Sequence, residues 1–566
     1  MADSIFAWHR LWTFFGLLKL NRYRERMRKH NLYDTETLPA LPQSPLPSPT
    51  ATQRASRSAD GAYNDLNHPR MGSAGTRFGR NIPLDRIVVP NAMQLLTPSP
   101  REVSRQLLTR AKFQPATSLN LLAAAWIQFQ VHDWLSHGEN EKAHPIEVPL
   151  QAGDNWPENP MRIRRTRRDA TRPPDDSDPR PTFTNTETHW WDGSQLYGSD
   201  LATQKQVRSF RAGKLRLGAD GLLPLNEKGI EVTGVNGNWW LGLSLLHTLF
   251  TLEHNAICDK LQREFPAWQD EELFQRARLI NAAIMAKIHT VEWTPGILAH
   301  PALKIGMNDN WTRIRKSKAE HHAAPFAMTE EFVSVYRMHP LMPDDFSFYS
   351  WQNDALLQTR TFPEIAHART RETMQQMSLL DLFYSFGVTH PGAITLHNYP
   401  RFLQHLQRGE EHIDLAATDI LRDRERGVPR YNEFRRLLDL DPIEKFEDLS
   451  DNRAWCEEIR QLYHNDINSV DLLIGMYAEP LIKGFGFSET AFRIFLLMAS
   501  RRLQSDRFFT TDYNEQTYTK PGLQWVEDTT MTTVITRHFP ALQPILRKQE
   551  NAFAPWPRVG NSARPA

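Results

Sequence analysis

The sequence predicts a mainly α-helical protein with few short strands. From about Ser118 onward, apolar residues recur at spacings of three and four, which is the period of one helix face. The alternation typical of strands is scarce, and no repeat of fixed period occurs. The clearest helical segments are Asn120–Trp134, Leu241–Leu261, Glu271–Trp293, Glu330–His339 and Asp466–Arg502.

The domain organisation follows from composition rather than from length. The 566 residues correspond to roughly three or four average domains by length alone. No break in composition divides the second half, so we expect one large helical domain over residues 61–566. Residues 1–60 stand apart as an N-terminal amphipathic helix and a strap, Thr35–Asp60, that is rich in Pro, Ser and Thr and too poor in apolar residues to pack.

The N-terminal segment Phe6–Leu20 has apolar residues at helical spacing and is followed by the basic stretch NRYRERMRKH. A secretory signal has the reverse order, with positive charge before the apolar region. Two interpretations stay open, and the second is favoured. The first is an interfacial helix with basic flanks that rests on a membrane or borders an apolar entrance. The second is an amphipathic helix docked on the body of the protein.

The overall composition excludes several classes of function. With 67 basic and 66 acidic side chains the net charge is +1, so no nucleic-acid partner is expected to be held by bulk charge. Cys258 and Cys456 cannot form a disulfide scaffold, and they fit a reducing compartment. No apolar run approaches about 18 residues, so no transmembrane segment is expected. A cytoplasmic or peripherally membrane-associated location is the resulting expectation.

The segment LLAAAWIQFQVHDWLSH carries the first candidate constellation. Gln128 and His132 are four residues apart and hence lie on one face of a helix. An isolated His on an apolar face is usually a hydrogen-bonded core residue. The Gln one turn earlier and Asp133 directly afterwards favour a functional interpretation.

The segment TETHWWDGSQLYGSD carries the second. Thr188, Trp190, Asp192 and Ser194 alternate, so their oxygens can converge on one side of an extended loop. Hydroxyls, a backbone carbonyl and a carboxylate are ligands that Ca²⁺ accepts, and Asp133 is a further candidate ligand. An ordinary turn is the alternative.

The segment EEFVSVYRMHPLMPDDF carries the third. Tyr336 and His339 are three residues apart, and Pro340 disfavours helix at His339. A His at a helix end is well placed to ligate a metal. Haem iron accepts a proximal His in this way, and Tyr336 would lie near the same cofactor.

Together these segments resemble the peroxidase–cyclooxygenase superfamily, and most closely the fatty acid alpha-dioxygenases. LLHTLFTLEHNAICDKL is similar to the central E-H-N helix of the family, and DLAATDILRDRERGVPRYNEFRR to its R-x-R-x-x-G-x-P-x-Y-N segment. The resemblance covers nearly the whole chain. It implies one haem-peroxidase-like helical domain with haem b and Ca²⁺ as cofactors.

The resemblance also implies individual roles. Gln128 and His132 match the distal pair, and Tyr336 and His339 match the radical-forming Tyr and the proximal haem ligand. Asp419 falls where peroxidases hold an Asn near the proximal His. The calcium loop of the family is matched by Asp133, Thr188, Trp190, Asp192 and Ser194.

In AKIHTVEWTPGIL, His289 and Thr294 match the carboxylate-binding residues of the family. Arg502 is the expected arginine of that clamp, with the adjacent Arg501 as the alternative. Arg, His and Thr together offer a fatty acid carboxylate charge-assisted and neutral donors.

Two positions depart from the animal-type peroxidases. Those enzymes carry a distal Arg and a haem-esterified Glu upstream of E-H-N, whereas the corresponding segment GVNGNWW has neither. The residue before His132 is Val131 and not the Asp that forms a second ester. We therefore expect non-covalent haem and poor peroxidase turnover.

The expected activity is peroxide-activated oxygenation of a long-chain fatty acid by O₂ to a 2-hydroperoxy acid, through a radical on Tyr336. The product can lose CO₂ to give an aldehyde one carbon shorter. The alternatives are a haem peroxidase that oxidises small reductants and a haem- or lipid-binding protein without turnover.

Overall fold

The computed structural model describes residues 7–560. Eight helices carry or support the candidate residues: α1 Thr13–His30, α2 Leu121–Trp134, α3 Leu241–Glu264, α4 Asp270–Ile288, α5 Pro301–Ile314, α6 Glu330–Val335, α7 Leu415–Glu425 and α8 Glu489–Gln504. The further α-helices are Ala51–Ala55, Ala92–Leu96, Pro100–Val103, Ser194–Tyr197, Leu201–Val207, Thr294–Ile297, Arg369–Gln376, Leu379–Val388, Arg401–Gln404, Tyr431–Leu437, Arg453–Leu462, Leu472–Ala478, Glu515–Tyr518, Lys520–Asp528, Met531–His538 and Gln543–Leu546.

Strands are short and pair only as antiparallel two-stranded ribbons within the described residues. The first ribbon joins β1 Glu141–Val148 to β2 Met161–Arg165, and the second joins β3 Asp345–Tyr349 to β4 Leu356–Thr361. The third joins β5 Leu406–Arg408 to β6 Glu411–Ile413. The prediction of a mainly helical protein with few short strands is therefore confirmed.

The core is built around α2, α3 and α4. Asn120 caps α2 by accepting a hydrogen bond from the Ala123 amide, and the small side chains of its first turns let it approach α3 closely. All but eight of the 24 residues of α3 are buried. A helix that is apolar on most sides belongs in the centre of a large domain, and α3 accordingly packs against both α2 and α4.

Three predicted helical segments differ from the structure: two end earlier than their apolar spacing suggests, and one is interrupted. The segment expected over Glu330–His339 ends at Val335, and His339 begins a separate 3₁₀ turn that contains Pro340. The segment expected to reach Trp293 leaves regular helix at Ile288 and continues as a π-helical turn, His289–Trp293. The run Asp466–Arg502 is broken into Leu472–Ala478 and α8. Pro480 and Gly484 lie between them, and Gly484 has a φ of +89° that few residues other than glycine adopt.

The loop over residues 188–194 is not extended as expected. It bends continuously, Gly193 adopts a φ of +79°, and Ser194 already belongs to the short helix Ser194–Tyr197. This compact turn folds the loop back on the end of α2, where Ser194 contacts Asp133.

The N-terminal helix begins later than predicted, at Thr13, and runs through the basic stretch to His30; residue 6 lies outside the described residues. Helix α1 packs against α5 and α8. Leu20 and Met27 on α1 are buried, and Arg28 of the same helix donates to the hydroxyl of Ser500 at 2.8 Å. Within residues 7–560, no helix combines the length and the apolar character that crossing a bilayer would need.

Candidate active site

The residues predicted as the proximal pair follow the end of α6. The imidazole Nδ1 of His339 lies 2.7 Å from Oδ2 of Asp419, which is buried on α7. The same carboxylate accepts hydrogen bonds from the Tyr399 hydroxyl at 2.8 Å and from Nη1 of Arg337 at 2.7 Å. We call His339, Asp419, Tyr399 and Arg337 the proximal network.

The proximal network fixes the protonation of its members. Burial would raise the pKa of Asp419, but His339 and Arg337 outweigh it and lower that pKa to about 2. The carboxylate is therefore ionised and accepts the Nδ1–H of His339. With Nδ1 engaged, Nε2 is the nitrogen of His339 left to ligate a metal, and the side chain is 33% exposed.

The predicted distal pair lies on α2, as the four-residue spacing requires. Oε1 of Gln128 accepts a hydrogen bond from the Trp240 indole at 2.6 Å, and its Nε2 donates to the carbonyl of Asn238 at 3.4 Å. Burial lowers the pKa of His132 to about 4. His132 is thus a neutral imidazole at physiological pH and is able to accept a proton.

Two side chains near the distal pair were not assigned from the sequence. Trp240 orients Gln128 through the bond just described, and it directly precedes α3. His247 on α3 is fully buried, and its ring centroid lies 4.9 Å from that of Trp239. Burial lowers the pKa of His247 well below normal, and the nearby His132 lowers it further. The sequence does not indicate either role, because Trp240 and His247 are far from Gln128 and His132 along the chain.

Tyr336 lies in an aromatic surrounding with a buried cation. Its ring stacks on Phe495 at 4.5 Å and meets the edge of Trp134 at 5.4 Å. Burial raises the pKa of Tyr336, opposed by Arg502. The phenol is therefore held in its neutral form.

Arg502 on α8 is buried, and no carboxylate of residues 7–560 forms an ion pair with it. Its guanidinium carbon lies 3.7 Å from the ring centroid of Trp134, 4.1 Å from Trp191 and 5.4 Å from Phe332. Its Nε and Nη2 have no hydrogen-bond partner among residues 7–560. Burial lowers the pKa of Arg502 to about 10, against the influence of Tyr336 and Asp133. We call Arg502, Trp134, Trp191 and Phe332 the arginine cage.

Arg501 faces a different part of the molecule. Its Nη2 donates to the carbonyls of His321, Ala324 and Pro325 at 3.1, 2.7 and 3.0 Å. Neighbouring residues on a helix point about 100° apart, so only one of the two arginines can face Tyr336. In the structure that residue is Arg502.

The predicted clamp residues His289 and Thr294 border the arginine cage. His289 stacks on Trp293 at 4.6 Å and meets the edges of Trp134 and Trp191. Burial lowers the pKa of His289 well below normal, and Arg502 lowers it further. The Thr294 hydroxyl donates to the carbonyl of His289 at 2.8 Å. The structure thus brings His289, Thr294, Arg502 and Tyr336 into one region.

The residues predicted to hold a cation also converge. The amide of Ser194 donates to Oδ1 of Asp133 at 2.6 Å, and Oδ2 of Asp192 pairs with Arg278 at 3.2 Å. The second carboxylate oxygens, Oδ2 of Asp133 and Oδ1 of Asp192, are buried without a hydrogen-bond partner among the described residues. Burial raises the pKa of both carboxyls. Thr188 and Trp190 are buried beside them.

These candidate sites meet at the C-terminal end of α2. His132, Asp133 and Trp134 are consecutive: His132 is the neutral imidazole of the predicted distal pair, Asp133 accepts from Ser194, and Trp134 contacts Arg502. Successive positions on a helix are separated by about 100°, so one turn can serve all three.

The comparisons with known proteins are consistent with this geometry. The family model described as "Animal haem peroxidase" matches residues 56–553. Alpha-dioxygenase 2 of Arabidopsis thaliana is 37% identical, over 98% of this chain and 92% of its own length. An alpha-dioxygenase of Oryza sativa subsp. japonica is 38% identical, over 98% and 94%.

The chain belongs to the alpha-dioxygenase family. Crystal structures of family members share its fold: fatty acid alpha-dioxygenase of Oryza sativa, as a Tyr-to-Phe variant with palmitic acid, has a TM-score of 0.90 at 36% identity and covers 98% of this chain and 95% of its own. The Arabidopsis thaliana enzyme has a TM-score of 0.89 at 36% identity, covering 100% and 92%. The prediction of the family, and of one haem-peroxidase-like fold, is confirmed.

Membership makes this chain a haem-dependent oxidoreductase, and its own residues fit a haem. His339 has one nitrogen committed to Asp419 and the other free. His132 on α2 is a neutral imidazole. The chain thus has a His that would hold the haem iron through Nε2 and a second His that could accept a proton, which is the chemistry of such haem sites.

Proposed function

We propose that this alpha-dioxygenase oxygenates long-chain fatty acids at Cα with O₂ and yields 2-hydroperoxy acids. The observation that carries the proposal is the unpaired Arg502 beside Tyr336. A buried guanidinium without a counter-ion is costly to keep, so its natural occupant is an anion. An anionic head group held there brings the adjacent carbon close to the phenol.

The proposed clamp comprises Arg502, His289 and Thr294. Arg502 supplies charge-assisted donors, and His289 and Thr294 supply neutral ones. The surrounding rings exclude water, which strengthens each of these bonds. A carboxylate bound this deeply presents its Cα, rather than the middle of the chain, to Tyr336.

We propose that haem b is held non-covalently by His339, with Asp419 raising the basicity of that ligand. The segment 234–240 and Val131 lack the carboxylates that could form haem esters, which supports this mode. Haem activated by a peroxide supplies one-electron oxidising power when bound. His132 would accept and return the proton, and Gln128, which Trp240 orients, would help to position the peroxide.

Tyr336 then acts as the radical carrier. Loss of one electron and the phenolic proton leaves a tyrosyl radical, which takes a hydrogen atom from Cα of the bound acid. O₂ adds to the carbon radical, and the resulting peroxyl recovers a hydrogen atom from the Tyr336 hydroxyl. The product is the 2-hydroperoxy acid, the radical on Tyr336 is regenerated, and loss of CO₂ and water from the product gives the shortened aldehyde.

We also propose that Asp133, Thr188, Asp192, Ser194 and the carbonyl of Trp190 bind Ca²⁺. The two unpartnered carboxylate oxygens support this assignment, because a hard cation would satisfy both and offset their burial. The ion would fix the loop against the end of α2 and so hold His132 and Trp134.

Oxygen uptake by haem-replete protein with palmitate and a trace of peroxide tests the function. We expect consumption by the wild-type protein and a loss of more than about 100-fold in Tyr336→Phe, since a phenylalanine ring cannot carry the radical. Haem content, read from the Soret band, serves as the control. Full uptake by Tyr336→Phe would contradict the proposal, and oxidation of a small phenol without palmitate uptake would favour a peroxidase.

We propose further that residues 1–60 form an arm and strap on the catalytic domain of residues 61–566, with the arm in peripheral contact with membrane lipid. Trp12, Phe14, Phe15 and Leu18 on and before α1 are 84%, 66%, 56% and 42% exposed. Large apolar side chains are rarely exposed together without a partner. Exposed Arg10 and Arg22 flank them and suit anionic head groups.

Cosedimentation with phosphatidylcholine–phosphatidylserine vesicles tests the contact. We expect the triple variant Trp12→Ser, Phe14→Ser, Phe15→Ser to remain in the supernatant. Leu356→Ser with Leu357→Ser, also exposed at 58% and 46%, is the matched control and should sediment like the wild type. Equal sedimentation of all three proteins would contradict the proposed membrane contact.

A further inference from the structure

The imidazole of His289 is held by four tryptophans, one of which makes a directional bond to it. Trp293, Trp134 and Trp191 contact its ring at centroid distances of 4.6, 5.1 and 5.2 Å. Trp126 on α2 differs from these, because its indole Nε1 lies 3.3 Å from Nδ1 of His289 and donates to it. His289 and Trp126 are 4% and 0% exposed.

This bond determines where the proton of His289 resides. An indole N–H donates and cannot accept, so Nδ1 must carry a lone pair. A neutral imidazole has one N–H, which is then on Nε2. Burial and the neighbouring Arg502 both act against a second proton.

We propose that Trp126 is a positioning residue that fixes His289 as the Nε2–H tautomer, so that the two nitrogen groups of the clamp, Arg502 and His289, offer donors only. The inference rests on the proposed function, because it takes a fatty acid carboxylate as the bound anion. With the proton on Nδ1 instead, His289 would present a lone pair to a carboxylate oxygen and repel it.

The consequence is selectivity for an acid over a neutral analogue. A carboxylate has acceptors only and matches Arg502 and the Nε2–H of His289. A primary amide carries an NH₂ that needs an acceptor, and neither Arg502 nor the Nε2–H of His289 provides one. A buried donor left without a partner is costly, so Trp126 would exclude fatty amides although it does not contact them.

Trp126 is also held firmly. Its ring contacts Phe250 and Phe553 at centroid distances of 5.5 Å each. It lies two residues before Gln128 on α2, so the helix that carries the proposed distal pair also orients the clamp.

The test compares Trp126→Phe with Trp293→Phe. Both substitutions remove a buried indole, but Nε1 of Trp293 donates to the carbonyl of Ala123 and not to His289. Binding of palmitate and of palmitamide to haem-replete protein is measured by calorimetry without oxygen. We expect Trp126→Phe to weaken palmitate binding about tenfold, to lower the ratio of acid to amide affinity, and to leave kcat within about twofold. Trp293→Phe should keep the wild-type ratio.

An unchanged ratio in Trp126→Phe, or an equal loss in both variants, would overturn the inference. If Trp126→Phe fails to fold, nitrogen NMR of the ¹⁵N-histidine-labelled wild type shows which ring nitrogen of His289 is protonated. The signals of His289 are assigned by their absence in His289→Gln. A protonated Nε2 and bare Nδ1 support the inference, and the reverse overturns it. Palmitate neither bound nor oxygenated by the wild type would instead be the failure of the proposed function, which the NMR result distinguishes.

Discussion

The proximal network and the arginine cage each contain an arginine near Tyr336. Arg337 follows Tyr336 in the sequence, and Arg502 lies near it in space, but only Arg337 is paired with carboxylates. Arg337 bonds Asp419 at 2.7 Å and Asp423 at 3.2 Å. Although burial opposes it, these two carboxylates raise the pKa of Arg337. Arg502 has aromatic faces where Arg337 has carboxylates, and burial lowers its pKa to about 10.

The difference separates a cation used for structure from one kept available for a ligand. A paired buried charge is expensive to break because its partners stay behind in a low dielectric. An unpaired one is expensive to keep, so it persists where function requires it. Substitutions at the two arginines should therefore have opposite effects on stability and on turnover.

The largest effect is expected from Arg337→Met. The substitution leaves Asp419 and Asp423 buried without their cation, and we expect the free energy of unfolding to fall by about 3–5 kcal/mol. Urea unfolding followed by far-ultraviolet circular dichroism measures this loss. A variant as stable as the wild type would show that the network does not support the fold.

The next largest is expected from Arg502→Met, and it should appear in a different assay. Removing an unpaired buried cation should not lower the free energy of unfolding, but it should lower kcat/KM for palmitate by at least about 100-fold, or roughly 3 kcal/mol, because the carboxylate loses its charged partner. Oxygen uptake and urea unfolding are measured on the same preparation.

Arg501→Met is the matched control for this arginine. It leaves the carbonyls of His321, Ala324 and Pro325 without their donor, so it should lose stability while retaining the KM for palmitate. The reverse pattern, with the loss of KM in Arg501→Met, would reassign the clamp.

The closeness of Gln128 to His132, and of Tyr336 to His339, could be predicted because each pair lies within one short segment. Gln128 and His132 share a face through helix geometry alone, and Pro340 indicates a break next to His339. The helix ends themselves were harder to place. Apolar spacing continues from Asp466 to Arg502 and does not indicate the turn at Pro480 and Gly484 that separates two helices.

Contacts between distant segments were not predictable from one sequence. Trp126 and His289 are 163 residues apart, and Trp240 reaches Gln128 from the residue before α3. The choice between Arg501 and Arg502 depends on how α8 is rotated in the core, which is fixed by its neighbours rather than by its own residues. The abundance of Trp is explained in part by this region, where Trp126, Trp134, Trp191 and Trp293 surround one histidine.

The smallest predicted effect concerns Glu292, in the π-helical turn that carries His289. Burial raises the pKa of Glu292 to about 7, although the Met531 amide and Lys287 oppose the shift. The folded state then binds this proton more tightly than the unfolded state, so stability falls as the pH rises from about 4.5 to about 7. We expect Glu292→Gln to raise the melting temperature at pH 8 and to leave it nearly unchanged at pH 5.

Glu253 on α3 provides the contrast, because it is equally buried but paired. Burial raises its pKa, yet His538 and Arg537 outweigh burial and lower it below normal. Its contribution to stability is therefore present above about pH 4.5 and is lost as the pH falls. Glu253→Gln should lower the melting temperature at pH 8, where Glu292→Gln raises it. If the melting temperatures of both variants change in the same direction at pH 8, Glu292 does not differ from the paired Glu253. The contrast between unpaired charges near the clamp and paired charges in the proximal network would then fail.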